Sequence, residues 1–211
     1  MDNQTILTFD IETLPIEDPF LDVLIEYKVK NFPEGEREKK KQYYKFLNPA
    51  YARVAAIGTL YQKPDGDTIS KVFIGDEFAI LNEFSKYLKK FRGIYVHFNG
   101  MGFDVPFILA RMAVHGIEPP NERFCNLIKY KTNPHYDVMS VLCSWREWGT
   151  FSVSLREAAH MFNVEDPKNI LSDKDTATFL LTATEDQIKA YVMGDVMATY
   201  EIYKKLSKIL N

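Results

Sequence analysis

Two acids close an apolar run near the start of the chain: Asp10 and Glu12, in Thr5-Ile6-Leu7-Thr8-Phe9-Asp10-Ile11-Glu12. In a β-strand alternate side chains share a face. Both carboxylates therefore leave one side, while Leu7, Phe9 and Ile11 leave the other. Carboxylates held side by side repel each other unless a cation lies between them. Hard oxygen donors of this kind suit Mg²⁺ or Mn²⁺. Taken alone, the pair reads as readily as a solvated strand end. A third acid, Asp104, follows the loop Asn99-Gly100-Met101-Gly102 and falls in the first turn of the next helix. The helix dipole favours an acid there in any protein. Tyr191 and Asp195 are four residues apart on the last helix and project from one face. An ordinary helix face would carry such a pair too. Gly194, beside Asp195, costs a helix about 1 kcal/mol relative to alanine, which points to close packing at that position.

Four acids and a tyrosine can do one kind of chemistry well. Phosphodiester hydrolysis needs a nucleophilic hydroxide and a stabilised leaving alkoxide, and two cations roughly 4 Å apart serve both ends of the displacement. Four carboxylates offset the cations' charge and fix their spacing. A tyrosine, with an ordinary pKa of about 10, is a poor general base at neutral pH. Its expected role is to orient the attacking water.

The elements that must position these residues are legible in outline. Thr5 to Glu12 reads as a strand, Arg53 to Gln62 as a second and Thr68 to Gly75 as a third, joined to the second by the turn Lys63-Pro64-Asp65-Gly66-Asp67. Asp76 caps a helix with Phe78, Leu81, Phe84, Leu88 and Phe91 at helical spacing. A fourth strand is expected over Ile94 to Phe98, then a helix to His115, ended by Gly116 and Pro119-Pro120. A fifth strand is expected near Asn126 to Tyr130, and His135 is read as a loop residue. Helices are expected over Val138 to Trp145, Ser154 to Phe162, Asp173 to Leu181 and Glu185 to Ile209. Strands in hairpin order, then strand and helix in alternation, imply an α/β mixed sheet flanked by helices.

Composition removes other classes. The chain has 211 residues, a size that suits one domain with an insertion. Cys125 and Cys143 form no metal-ligand or disulfide framework, so a reducing, cytoplasmic setting is expected. The N-terminus lacks the basic and apolar regions of a signal peptide, and no apolar stretch approaches a membrane span. The net charge of −3 argues against a non-specific nucleic-acid coat protein but leaves room for an enzyme that places carboxylates on metal ions.

In order and context the acids match three motifs. They are D-x-E in Phe9-Asp10-Ile11-Glu12-Thr13, N-x-x-x-F-D in Asn99-Gly100-Met101-Gly102-Phe103-Asp104, and Y-x-x-x-D in Tyr191-Val192-Met193-Gly194-Asp195. On these residues the chain resembles the DnaQ-like 3′–5′ exonuclease superfamily, in its tyrosine-containing (DEDDy) branch. It looks most like the proofreading exonuclease domains of family B DNA polymerases and their stand-alone relatives, whose second-strand region is similar to the segment NPAYARVAAIGTLY, from Asn48 to Tyr61. The histidine branch carries H-x-x-x-x-D as its third motif. Position 191 is tyrosine here, and five residues beyond His160 stands Glu165.

The resemblance implies a ribonuclease H-like fold: a mixed five-stranded sheet of order near 3-2-1-4-5, with strand 2 antiparallel, forming one exonuclease domain over residues 1–211. It implies two divalent cations, Mg²⁺ or Mn²⁺. Asp10 would bridge them, Glu12 and Asp195 would complete the site of the ion that activates water, and Asp104 would hold the other. Tyr191 would orient the water. Thr13, Leu14, Asn99 and Phe103 would contact the terminal nucleotide. The expected activity is 3′–5′ hydrolysis of single-stranded or frayed DNA ends, releasing nucleoside monophosphates, in repair, end processing or proofreading. No polymerase module is expected, since only the rest of one helix follows the third motif. A 3′–5′ exoribonuclease and a non-cleaving nucleic-acid-binding module on the same fold are the alternatives. An aspartate-nucleophile phosphatase fails because the second acid of its D-x-D-x-T pattern is Glu12 here.

Some features lie outside the motifs. Asp137 reads as a helix N-cap or as a support for the site, and His97 and His115 as structural. Residues 16–50 form a long insertion between the first two strands. Within it, Pro19 to Val29 is amphipathic, and Lys28 to Lys45 carries a net charge of +4. The insertion begins four residues after Glu12, so it is expected to border the site, with Lys39, Lys40 and Lys41 meeting phosphates and Tyr43, Tyr44 and Phe46 as candidate nucleic-acid contacts. A solvated helical arm or an oligomer contact is the competing expectation.

Overall fold

The computed structural model describes residues 5–145, 151–169 and 176–209. Its elements in chain order are β1 (Ile6–Pro15), α1 (Pro19–Val29), α2 (Glu34–Leu47), β2 (Ala52–Gln62), β3 (Thr68–Ile74), α3 (Glu77–Leu88), β4 (Ile94–His97), α4 (Asp104–Val114), β5 (His135–Asp137), α5 (Val138–Leu142), α6 (Leu155–Met161), α7 (Thr176–Thr182) and α8 (Glu185–Leu206). The sheet order is β3-β2-β1-β4-β5. β2 runs antiparallel to β1 and to β3, while β4 runs parallel to β1 and β5 parallel to β4. This is the expected mixed sheet flanked by helices. Among the described residues no helix is long and apolar enough to cross a membrane.

β1 is the central strand because it can be buried on both faces. Leu7, Phe9 and Ile11 pack under α3 and α4, against Leu81, Phe84 and Ile108. The opposite face is covered by the long helix α8, which Thr184 and Gln187 start with a reciprocal capping box. Its Val192 and Val196 lie over β2 at Gly58, where a Cβ would come within 3.0–3.1 Å of both valines. A side chain at Gly58 would lift α8 off the sheet, and with it Asp195. Pairing between β1 and β2 slips by one residue between Glu12 and Thr13, from Glu12 opposite Ala56 to Thr13 opposite Val54. Such a bulge bends the strand and re-aims the side chains beside it.

The insertion folds as a helical hairpin. Ile25, Val29 and Tyr51, with Leu24, Phe32 and Tyr44, form its own small apolar core. Ion pairs join its two helices, Lys41 with Glu26 at 2.5 Å and Lys45 with Asp22 at 2.7 Å. It is tied to β1 by Thr13, whose hydroxyl donates to the Phe46 carbonyl at 2.6 Å.

The expected strand at Asn126 to Tyr130 is absent. That stretch is irregular, with Ile128 and Tyr130 exposed and Tyr130 in the left-handed region. The fifth strand is His135–Asp137, the segment that pairs with Tyr95–His97 of the four-residue β4. His135 is therefore a buried strand residue and not a loop residue. A strand of three residues is too short to show periodicity. Of the helix expected from Asp173, the first three residues lie outside the described residues; the rest corresponds to α7.

Candidate metal and active site

Three of the four motif acids meet at one point. A carboxylate oxygen from each of Asp10, Glu12 and Asp195 lies within 4.8 Å of the others. β1 delivers the first two and α8 the third. Glu12 and Asp195 are buried, and Asp10 is partly open. The fourth acid, Asp104, is buried at the start of α4, where its Oδ1 accepts from the backbone N–H of Ile11 at 3.2 Å. It thereby ties the second motif to the strand residue between the two acids of the first.

The site is short of positive charge. Burial raises the Asp10 carboxyl well above the ordinary range, and Asp104, Asp195 and Glu12 push it further. Glu12 is raised by burial and by Asp195. Burial pushes Asp104 up to about 7. Asp195 is raised by burial, against the pull of Lys168. Its Oδ1 is buried and has no hydrogen-bond partner among the described residues. A buried acceptor without a donor is costly. Clustered acidic oxygens with an unsatisfied acceptor fit hard divalent cations, which take oxygen ligands.

Lys168 is the cation the motifs did not supply. Its ammonium donates to Asp195 Oδ2 at 2.6 Å and to the Tyr191 hydroxyl oxygen. Burial works against its charge, but Asp195 and Tyr191 outweigh burial and hold it above the ordinary lysine range. Tyr191 itself is pushed up to about 12 by burial, Glu12 and Asp195, so it is a phenol at neutral pH. Because Lys168 donates to its oxygen, the Tyr191 O–H proton is free to be given elsewhere, and Thr176 lies 3.3 Å away. The loop bearing Lys168 rests on α8: a Cβ at Gly194 would sit 3.2 Å from the Pro167 carbonyl oxygen, which is the close packing expected there. Lys168 lies in a stretch without periodicity, 23 residues before Tyr191 and 27 before Asp195. No sequence signal marked it.

The loop before Asp104 is held from below. Asp137 accepts from the backbone N–H groups of Asn99, Met101 and Ser140, each at 3.0 Å. It is thus an N-cap for α5 and a clamp on the second motif at once. Asn99 takes a left-handed backbone, φ 64°, a conformation that asparagine tolerates better than most residues. His97 accepts from the Gly100 N–H at 3.1 Å on Nδ1, which assigns its proton to Nε2, facing His135 Nδ1 at 3.1 Å. His97 is structural, as expected.

Two cavities open on the carboxylates. One, of about 430 Å³, is lined by Asp10, Glu12, Thr13, Phe103 and Asp195 together with residues of α2 and α7. The other, of about 480 Å³, joins Asp10 and Asp195 to Asn99 and to the start of α6. Thr13, Phe103 and Asn99 thus stand beside the acids. Leu14 lines neither cavity and packs with Ala56, Phe179 and Tyr191.

The fold has known counterparts. The chain is similar to the family B DNA polymerase of the hyperthermophilic archaeon Pyrobaculum calidifontis, at 19% identity and a TM-score of 0.63, over 97% of this chain and 24% of that one. It is similar also to E. coli exonuclease I, solved in complex with a dT13 oligonucleotide, at 13% identity and a TM-score of 0.54, over 97% of this chain and 42% of that one. The chain therefore spans less than half the length of either. No curated protein matches it. Residues 44–210 match the family described as a predicted 3′–5′ exonuclease related to the exonuclease domain of PolB. That match begins after β1, so Asp10 and Glu12 reach the site independently of it. With most of its length matched, the chain belongs to this PolB-related 3′–5′ exonuclease family.

Proposed function

We propose that the chain is a metal-dependent 3′–5′ exonuclease that hydrolyses the terminal phosphodiester of an unpaired DNA end and releases nucleoside monophosphates. The observation that carries this reading is the convergence of Asp10, Glu12 and Asp195, with Asp195 Oδ1 lacking any donor among the described residues. Asp10, Glu12, Asp104 and Asp195 would hold two Mg²⁺ or Mn²⁺ ions. When bound, such ions supply a more acidic water and a stabilised leaving oxygen.

The chain's own residues do the rest. Tyr191, a neutral phenol, directs its O–H toward the attacking water. Lys168 fixes that phenol and offsets part of the charge on Asp195. Phe103 and Thr13 border the approach beside α2, and Asn99 borders the other; these three contact the terminal nucleotide. Leu14 stands behind them and supports α7 and α8. DNA is favoured over RNA because the similar polymerase and the oligonucleotide complex of exonuclease I both concern DNA.

The test is digestion of a 5′-labelled single-stranded DNA and the matching RNA with Mg²⁺ or Mn²⁺, alongside EDTA and Asp104→Ala controls. A ladder shortening from the 3′ end, absent from both controls and stronger on DNA, is expected. Stronger digestion of RNA would make the chain an exoribonuclease. Intact, metal-binding protein that shortens neither polymer would leave only a binding module.

A further inference from the structure

The cavity of about 430 Å³ has a wall that none of the three motifs supplies. Lys39, Tyr43 and Phe46 stand four and then three residues apart on α2, so they share one face of that helix. All three line the cavity that holds Asp10, Glu12 and Asp195. The rest of the insertion's charge is engaged within the hairpin. Lys41 pairs with Glu26 and Lys45 with Asp22. Lys40 lies over the Phe32 ring at 5.2 Å, and Arg37 donates to the carbonyls of Lys30 and Phe32. Tyr44 is packed in the hairpin core. Lys39 is exposed and has no ion-pair partner among the described residues, and Tyr43 is 51% exposed. The expectation of a three-lysine phosphate patch thus narrows to one lysine, and the aromatic cluster narrows to Tyr43 with the buried Phe46 behind it.

We infer that the α1–α2 hairpin selects the substrate, admitting only an unpaired 3′-terminal nucleotide, whose base stacks on Tyr43 and whose phosphate meets Lys39. This rests on the exonuclease reading above and adds the residues that decide which ends are accepted. The cavity's contents match one occupant. An ammonium suits a phosphate, an exposed aromatic ring suits a base, and the acids on the floor suit the cations that accompany a scissile phosphate. At about 430 Å³ the space is of the size that holds one small ligand. Residues of both α2 and α7 line the cavity beside the acids, so a complementary strand would have to share that space with two helices. Stacking is tolerant of sequence, because every base has a π-face. The hairpin therefore discriminates by strandedness and not by base.

Two measurements test this on the full chain. Binding is read by fluorescence anisotropy in Ca²⁺ across a salt series, with a labelled single strand and with the same strand in a blunt duplex. Digestion of the same strand is read in Mg²⁺ or Mn²⁺. Tyr43→Ala should weaken single-strand binding about tenfold, while Tyr43→Phe, which keeps the ring, should bind close to wild type. Lys39→Gln should lower the slope of log affinity against log salt by about one, and Lys40→Gln should leave it unchanged. The blunt duplex should bind more weakly and be indifferent to Tyr43→Ala. The inference is overturned if Tyr43→Ala and Lys39→Gln bind the strand as wild type does, or if the duplex is bound as tightly as the strand. A circular dichroism spectrum like that of wild type guards the Tyr43→Ala arm, and the surface substitution Lys39→Gln carries the test alone if that variant misfolds. Failure of the exonuclease reading looks different: the strand is bound with this pattern of variants and is never shortened.

Discussion

The chain buries acids in two ways, and the contrast separates structure from chemistry. Glu77, at the start of α3, is surrounded by donors. It accepts from Val54 N–H at 2.7 Å and from Arg111 at 2.9 and 2.6 Å, and it faces His115 at 2.7 Å. Burial alone would raise it, but these hydrogen bonds hold it below the ordinary range. Asp137 is lowered in the same direction, against its burial, by the backbone N–H groups it accepts from. At the other extreme stand Asp10, Glu12, Asp104 and Asp195, all raised, with Lys168 as their one bonded side-chain cation among the described residues. The same residue types at similar burial titrate in opposite directions. An acid that serves the fold is given enough donors by the chain to hold its charge; these four are given too few, and cations from solution fit the deficit.

The sharpest way to break the contrast is to remove one acid from each group. Asp10→Asn should lower the exonuclease rate by about a thousandfold or more. A metal acting as Lewis acid is worth several kcal/mol, and each 1.36 kcal/mol is tenfold. The same variant, free of metal, should be no less stable than wild type in urea, because it relieves repulsion among buried carboxylates. Glu77→Gln should do the reverse. It leaves the Arg111 guanidinium buried without its counter-charge, which should cost about 3 kcal/mol in urea unfolding. Turnover per folded molecule should stay near wild type well below the melting temperature. If both substitutions act on activity and stability alike, the two groups of acids are not distinct.

Titration sharpens the contrast without mutation, because the two groups carry opposite signs. The folded pKa of Glu77 and of Asp137 lies below the unfolded one. Their stabilisation is present above the ordinary carboxylate value of about 4 and is lost as pH falls through their folded values. Asp104 stands at about 7 when folded. The folded chain therefore holds a proton there that the unfolded chain has released. Metal-free protein should lose stability, on the order of 4 kcal/mol, as pH rises from about 4 to about 7. Saturating Mg²⁺ should abolish that loss, since bound cations favour the ionised acids. Denaturant unfolding at several pH values, with Mg²⁺ and with EDTA, measures both signs. Equal pH dependence in the two conditions would sink the assignment of a metal site.

How much of this was legible in the sequence depended on whether the signal was local. Asp10 and Glu12 announce themselves because a strand's period of two places them together. Tyr191 and Asp195 do so because a helix brings residues four apart onto one face. The sheet order is implied by the family resemblance that the motifs carry, and not by any residue pattern of its own. What failed was non-local. β5 owes its place to pairing with Tyr95–His97, and three residues, His135 to Asp137, carry no pattern of their own. Lys168 reaches Tyr191 and Asp195 across more than twenty residues from an irregular loop. Asp137 was read in two ways, and both hold, because one oxygen caps α5 while both clamp the second-motif loop. The lysines of α2 differ again. Helical spacing alone puts Lys39 with Tyr43 and sets Lys40 and Lys41 aside, but which face meets the carboxylates depends on how the hairpin docks on β1.

The smallest predicted effect falls where the acid-rich site leans on ordinary packing. Gly194 lies inside α8, and alanine there should gain about 1 kcal/mol of helix propensity. The added Cβ would sit 3.2 Å from the Pro167 carbonyl oxygen, so the loop must move by a few tenths of an ångström. Pro167 is buried, but Glu165 and Asn169 on either side are exposed and the loop can give, so the gain and the displacement should nearly cancel. Gly194→Ala should therefore unfold within about 0.5 kcal/mol of wild type, as expected where no core contact is lost. Its cost should appear in turnover. Pro167 precedes Lys168, and a shifted backbone moves the ammonium that holds both the Tyr191 oxygen and Asp195 Oδ2. A severalfold fall in kcat with KM unchanged is the expected signature, since the change reaches the water-orienting phenol and leaves the nucleotide cavity alone. A Gly194→Ala variant that is more stable and equally fast would show that the Lys168 loop is not coupled to the site through this helix.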